Sequence, residues 1–291
     1  MIDFHTHPVL VRELVEKYPR FERAAREVFY IGNNFQPLET FLLQMDVAGI
    51  ERAVLLPVDC RRARQDAVGT NQQIAELCAL SARFIGFASV DPRVKTAAKD
   101  LARAVKTLHL EGLKLDPALQ DFDSAGAQAL AVYEAAEELK IPVLLHAGMS
   151  WAPGSAIAPG HPLRLEPAIR RFAKLNFVLA HFAWPWVWEA VALAMKYPNV
   201  FLDTSCLYYD SPKEFFEFVF TRQIPVSLIE RTLANQVVFG SNYPRVEIKN
   251  MVRALKSLPL TEGCLNKILR ENARRLLGQR GKRPATSGRD H

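Results

Sequence analysis

The chain has 291 residues, 49% of them apolar and 23% charged, and a formal charge of +6. That length and apolar share suit one large domain with a substantial core and exclude a disordered or low-complexity chain. Half of the positive excess sits in residues 279–291, where Arg280, Lys282, Arg283 and Arg289 face only Asp290. No clustered basic face with interleaved aromatics lies elsewhere, and no apolar run approaches the roughly 18 residues of a bilayer span, so neither nucleic acid nor a membrane is an expected partner.

The first strand is predicted over residues 2–4 and leads straight into His5-Thr6-His7-Pro8. In extended chain, side chains at i and i+2 point the same way. His5 and His7 therefore present two imidazoles together, and neutral imidazole is the commonest metal ligand among side chains. Residues 9–39 form an insertion between this strand and its helix. Within it, Tyr30-Ile31-Gly32-Asn33-Asn34-Phe35 is placed to overhang the mouth formed by the strand ends.

A second strand, 53–57, is followed by Arg61, Arg62 and Arg64. Guanidinium matches a carboxylate bidentately, and Arg62 is taken as a substrate-binding candidate on that ground. Helix 71–82, strand 84–90 and helix 95–108 follow. Strand 112–115 carries Lys114, a second substrate-binding candidate. After helix 127–139, strand 143–146 ends in His146, and the next loop holds Trp151, a candidate wall for a planar substrate. Helix 163–175 precedes strand 177–181, which ends in His181 and is followed by Trp184 and Trp186. Helix 186–195, strand 200–203, Tyr208 and Tyr209, and helix 212–220 come next. Strand 237–239 runs into Gly240-Ser241-Asn242-Tyr243-Pro244, and helices 249–255 and 265–277 close the pattern. Residues 279–291, rich in Gly, Pro, Ser and Thr without apolar periodicity, are predicted to be disordered.

Eight short, near-continuous apolar strands alternating with helices predict an α/β fold, a (β/α)8 barrel over residues 1–278. A doubly wound sheet would offer a glycine-rich turn after its first strand, where this chain has His-Thr-His-Pro. Barrel enzymes place their chemistry at the C-terminal strand ends. Four of the seven histidines, His5, His7, His146 and His181, fall there, and so does Asn242. His109 and His161 read as surface residues. Cys60, Cys78, Cys206 and Cys264 are dispersed without metal or redox spacing. With no export signal recognised ahead of the first strand, they lead us to expect a cytoplasmic setting.

Over residues 1–278 the sequence resembles the amidohydrolase superfamily, in the branch that includes aminocarboxymuconate-semialdehyde decarboxylase and resorcylate decarboxylase. The resemblance rests on Asp3-Phe4-His5-Thr6-His7, Phe84-Ile85-Gly86-Phe87, Glu111-Gly112-Leu113-Lys114-Leu115, His146-Ala147-Gly148 and His181-Phe182-Ala183-Trp184-Pro185-Trp186. It extends to Glu271-Asn272-Ala273-Arg274 near the C-terminus. It implies one divalent ion, with zinc the expected metal, held by His5, His7 and His146. Three protein ligands with one open position are a known catalytic zinc arrangement. Catalytic roles fall to His181, as proton handler, and to Asn242. Asp3 is expected to support the first strand from below the metal, or to hydrogen-bond a ligand histidine. In this branch Lys114 is not expected to bridge metals.

One departure matters. The family's eighth strand ends Phe-Gly-Ser-Asp-Tyr-Pro, and here Asn242 replaces the Asp that binds metal and, in the hydrolases, takes a proton from water. An amide cannot act as a base at neutral pH, and general-base catalysis is worth about 10²–10⁴-fold. The expected activity is therefore hydrolysis or non-oxidative decarboxylation of a small carboxylated, cyclic or unsaturated substrate, with hydrolysis disfavoured. The alternative is a catalytically impaired barrel serving as a ligand-binding or regulatory protein. A homodimer is the one assembly expected.

Overall fold

The computed structural model describes residues 1–205 and 211–278. The tail 279–291, Cys206, Tyr208 and Tyr209 lie outside the described residues. Eight strands form one sheet in sequential order: β1 Ile2–Thr6, β2 Arg52–Leu55, β3 Phe84–Ala88, β4 Gly112–Leu115, β5 Val143–Leu145, β6 Phe177–Leu179, β7 Val200–Asp203 and β8 Val237–Val238. Every adjacent pair is parallel. The last strand returns to the first through the Phe4 amide donating to the Phe239 carbonyl (2.8 Å), the Asn242 amide to His5 (2.9 Å) and the His7 amide to Tyr243 (2.8 Å). Sequential order with closure defines the (β/α)8 barrel, and the doubly wound alternative falls because its strand order would reverse.

The connecting helices follow from their sequences. Asn71–Leu80 begins at a capping box in which the Thr70 and Gln73 side chains satisfy each other's backbone amides. Ala97–Thr107 buries Ala97, Leu101, Ala104 and Val105, one stripe at helical spacing, against the barrel. The predicted helix 163–175 is shorter in the structure, a 3₁₀ turn at Pro162–Leu165 followed by Glu166–Arg171. Pro162 and Pro167 fix φ at the start of the two segments, and a proline there costs no helix hydrogen bond.

The barrel interior is divided along its axis. Phe4, Val54, Ile85, Phe87, Leu144 and Val178 pack into an inner apolar plug, closed below by Ala273 and Leu276 of the helix Asn272–Leu277. Above that plug, at the C-terminal strand ends, the inward positions turn polar: Lys114, His146 and Asp203, each fully or nearly buried. The first strand needs one extra device. Asp3 pairs with Ala53 but Thr6 pairs with Leu55, so Phe4 and His5 together stand opposite one residue, Val54. This bulge lets Phe4 join the inner plug while His5 and His7 still line the cavity above it.

Candidate active site

The mouth of the barrel holds a cavity of about 640 Å³ including its open entrance. Its polar lining includes His5, His7, Lys114, Asp116, His146, His181, Asn242 and Arg245, and its apolar walls include Val28, Phe29, Leu119 and Trp151. Of the residues selected by sequence, His5, His7, His146, His181, Asn242, Lys114 and Trp151 are thus brought together. Arg62 is not among them. It is exposed on the helix Arg61–Arg64 and reaches the Arg93 carbonyl at 3.5 Å. Its neighbours Arg61 and Arg64 are also directed elsewhere, to Asp59 and to the Pro153 carbonyl. Of the segment expected to overhang the mouth, only Tyr30 lines the cavity, joined by Val28 and Phe29 just ahead of it. His109 is exposed, and His161 is half-buried, capping the turn at Pro162 and lying 4.7 Å from the Trp186 ring.

The histidines form a chain across the cavity. Ring centroids are 5.1 Å apart for His5 and His7, 5.0 Å for His5 and His181, and 5.0 Å for His146 and His181. Their tautomers follow from what holds the other ring nitrogen. His5 Nδ1 lies 2.8 Å from Asp203 Oδ2, a pure acceptor when ionised, so His5 carries its proton on Nδ1. His7 Nδ1 lies 2.8 Å from the Leu56 carbonyl and must also donate. The Ser205 hydroxyl donates to Asp203 Oδ1, so its lone pairs receive His181 Nδ1 at 2.7 Å. The Ser205 carbonyl, 3.1 Å from the same nitrogen, enforces the same assignment. All three histidines therefore turn an unprotonated Nε2 away from these anchors.

Two lone pairs then meet: His5 Nε2 and His7 Nε2 are 3.2 Å apart with both Nδ1 protons already committed. Two bare acceptors at that distance repel unless a cation or a proton lies between them. Nitrogens bound at 2.0–2.1 Å to one tetrahedral zinc sit about 3.3–3.4 Å apart. His146 Nε2 is buried with no hydrogen-bond partner, a further unsatisfied donor of the kind a metal requires. Burial holds His5, His7 and His181 well below the ordinary histidine pKa, with the neighbouring cations and imidazoles adding to the effect. It lowers His146 as well. These imidazoles are thus held neutral, the form that binds a divalent ion. The residues fit such an ion.

Asp203 and Ser205 are the residues that sequence reasoning missed. Asp203 is wholly buried and receives His5 Nδ1, the His181 amide (2.9 Å), the Ser205 amide (2.9 Å) and the Ser205 hydroxyl. Donor atoms of His5, His181 and Asp203 also lie within 4.8 Å of one another. Because both Asp203 oxygens are already engaged, its place is behind the histidines, aiming them, rather than beside them as a donor. Asp3 supports the first strand through the backbone: its Oδ1 receives the amides of His5 and Ser241, tying β1 to the segment after β8. Burial raises its carboxyl to about 7.

Backbone geometry fixes the remaining positions. His181, Phe182 and Ala183 have φ of 62°, 47° and 51°, three consecutive L-residues in the left-handed region. Such residues cost of order 1 kcal/mol or more each and persist only where surrounding contacts enforce them. Here Asp203 holds the His181 amide, and the Met149 amide donates to Trp184 at 2.9 Å. Gly148, at φ 104°, makes that last contact feasible, since a Cβ there would lie 2.3 Å from the Trp184 carbonyl. Gly240 lets β8 approach β1: its Cβ would fall 2.7 Å from the His5 Cβ. Asn242, at φ 63°, occupies a left-handed position that Asn tolerates well. Lys114 is buried on the cavity floor, where burial pushes its pKa down to about 8 against the opposing pull of Asp116 and Asp203.

A closed eight-stranded barrel with neutral histidines gathered at the C-terminal rim defines the amidohydrolase type of barrel. The amidohydrolase family profile, Amidohydro_2, matches residues 2–279, and the chain belongs to that family. No curated protein matches the chain by sequence. Among solved structures, an uncharacterised TIM-barrel protein from Bordetella bronchiseptica is similar at a TM-score of 0.75 with 23% identity, covering 96% of this chain and 98% of that one. A probable 2-pyrone-4,6-dicarboxylic acid hydrolase from Acinetobacter baumannii, with citric acid bound, has a TM-score of 0.66 and 17% identity over 95% and 98% of the chains. A dihydroxybenzoic acid decarboxylase from a Polaromonas species, with bound manganese and 2-nitroresorcinol, has a TM-score of 0.65 and 19% identity over 95% and 96%. At these identities the likeness is one of fold. Among the described residues no helix is long and apolar enough to cross a membrane.

Proposed function

We propose that the chain is a metal-dependent enzyme that decarboxylates a small cyclic carboxylic acid without oxidation. One divalent ion, zinc by the donor set, would be held by His5, His7 and His146 through their Nε2 atoms. The observation that carries the reading is Asn242. It occupies the cavity at the end of β8, where hydrolysis within this family calls for a carboxylate base. Decarboxylation needs no such base: the C–C bond electrons stay on the ring carbon, CO₂ leaves, and a proton must be supplied.

The ion, when bound, supplies positive charge that polarises a substrate oxygen. Protons are handled by the pair formed by His181 Nε2 and His146 Nδ1, 3.2 Å apart. With Nδ1 of His181 fixed as a donor to Ser205, its Nε2 is the atom that takes a proton from the substrate and returns it to carbon. Lys114 holds an anionic oxygen at the cavity floor, and Phe29, Leu119 and Trp151 flank a planar ring and exclude water. The manganese-containing decarboxylase of the same fold supports this class of chemistry. The pyrone hydrolase supports a second reading, hydrolysis, as does Asp116, the one carboxylate that lines the cavity among the described residues.

The test is a panel of cyclic carboxylic acids, esters and lactones given to metal-loaded protein, with CO₂ release and acid release followed separately. CO₂ release that is lost in His181→Ala is expected. Turnover of esters or lactones with no CO₂ from any acid would overturn the proposal in favour of hydrolysis. No turnover of either kind, with substrates bound, would favour the catalytically impaired barrel.

A further inference from the structure

The helix Val187–Lys196, which follows the His181 segment, is apolar on two faces. Val187, Ala190, Val191 and Ala194 are buried against the barrel at helical spacing. Trp188, Ala192 and Met195 form a second apolar stripe on the outer face, with Trp188 52% and Met195 56% exposed. The 3₁₀ turn Pro162–Leu165 packs beside this helix and leaves Leu163 43% exposed. Pro185 and Pro198 are exposed near its two ends. A contiguous exposed apolar patch of this kind marks an interaction surface, whereas an ordinary surface helix turns charge to the solvent.

Charge selects the occupant. Glu189 and Lys196 are two turns apart and, at about 100° per residue, lie on the same flank of the stripe. Glu189 has no ion pair among the described residues, and Lys196 reaches Glu166 at 3.2 Å while staying exposed. A two-fold axis perpendicular to the helix beside Ala192 lays a second copy antiparallel on the first. That operation sets Trp188 against Met195 of the second copy, a favourable sulfur–aromatic contact, and Glu189 against Lys196 of the second copy, on both sides of the axis. Ala192, small and central, lets the two helices approach closely. A parallel arrangement would leave the two charged flanks on opposite sides.

Other pairings fit less well. A second exposed pair at helical spacing, Leu43 and Val47 on the helix Leu38–Ala48, is flanked by Glu39 and Asp46, and the same operation there sets acid against acid. Residues 279–291 contain no Val, Leu, Ile, Met, Phe, Tyr or Trp to lay on an apolar stripe.

From this placement we infer that the outer face of the helix Val187–Lys196 is the two-fold interface of a homodimer, its occupant a second copy of this chain. A standard interface takes about 800 Å² from each partner. The helix, about 15 Å long, supplies the centre, and the turn carrying Leu163 extends it. The inference is independent of the chemistry at the barrel mouth.

Sedimentation velocity over a concentration series measures the oligomeric state of wild type, Trp188→Asp and Met195→Glu, with thermal unfolding of the same samples to confirm folding. Wild type is expected to be a dimer at micromolar concentration. A buried interface tryptophan is worth about thirty-fold in affinity, and the two-fold axis counts it twice, so Trp188→Asp should raise the dimer dissociation constant by about a thousand-fold. Met195→Glu reads the same face if the first variant does not fold. Register is read separately by mild oxidation of Ala192→Cys. A cysteine beside the axis meets its own copy within the roughly 4.4–6.8 Å Cα separation that a disulfide needs, so a covalent dimer is expected. Leu43→Cys and wild type, treated alike, should stay uncrosslinked. A monomeric wild type, a dimer that survives in folded Trp188→Asp or Met195→Glu, or crosslinking of Leu43→Cys equal to that of Ala192→Cys would each overturn the inference.

Discussion

Asp203→Asn tests how the histidines are aimed, because it changes one atom's hydrogen-bonding sense and little volume. In one orientation the new NH₂ replaces Oδ2 and faces His5 Nδ1, a donor against a donor at 2.8 Å. His5 must then move its proton to Nε2, the atom that faces His7 Nε2, and a protonated nitrogen cannot bind metal. In the other orientation the NH₂ faces the amides of His181 and Ser205, and both lose their acceptor. Either way at least one buried charge-assisted hydrogen bond is lost, worth about 1.5–3 kcal/mol. Expressed as metal affinity, that is about ten- to a hundred-fold weaker binding, the range seen when outer partners of ligand histidines are removed. The assay is competition of zinc between the protein and a chromophoric chelator, with thermal unfolding of the same samples to confirm folding. A folded variant with unchanged zinc affinity would refute the assignment of Nδ1 protons on which the site argument depends.

Asn242→Asp should tighten metal binding, because an anionic oxygen at that position adds charge to a neutral donor set; chelator competition reads it, and unchanged binding would place Asn242 outside the ion's reach. Gly240→Ala puts a Cβ 2.7 Å from that of His5 and 3.3 Å from that of Ser205. Overpacking of this kind costs about 1–3 kcal/mol, so both the melting temperature and zinc content should fall, and retention of both would contradict the close approach of β8 to β1. In metal-free protein the buried histidines have folded-state pKa values below the ordinary 6.5, so as pH falls through that value the unfolded chain takes up protons that the folded one does not. Stability should therefore drop on acidification from pH 7 to 5, by up to about 1.4 kcal/mol per pH unit for each such histidine. The carboxyl of Asp3, raised to about 7, contributes with the opposite sign and offsets part of one histidine. Denaturant unfolding at several pH values measures the slope, and a flat profile would show that the imidazoles are not held neutral.

Much of this was legible because closed parallel barrels write themselves as repeated apolar runs, and because metal-site chemistry depends on residues that end those runs. His146 and His181 could be found from strand ends alone. Asp203 also ends a strand and could have been found the same way, but a lone Asp carries no spacing pattern, whereas His-X-His does. The bulge at Phe4 and His5 was illegible: simple alternation predicts that Phe4 and His5 face opposite ways, and only the shifted pairing with β2 lets the one fill the plug and the other the cavity. Arg62 was chosen because an arginine run after a strand looks like an anion site, yet a short helix turns it outward. Arg245 follows Asn242 by three residues and enters the cavity through a partner, Phe29, that lies 216 residues earlier in the chain. Pairings over that distance leave no local periodicity to read.

The central claim, that the histidine cluster at the barrel mouth holds one divalent ion, is tested most directly by elemental analysis of wild type and His146→Ala purified side by side without added metal. The account predicts close to one equivalent of a divalent transition metal in the wild type and its loss in a folded His146→Ala variant. Near-stoichiometric metal retained in that variant, or none in wild type even after incubation with zinc, would contradict it.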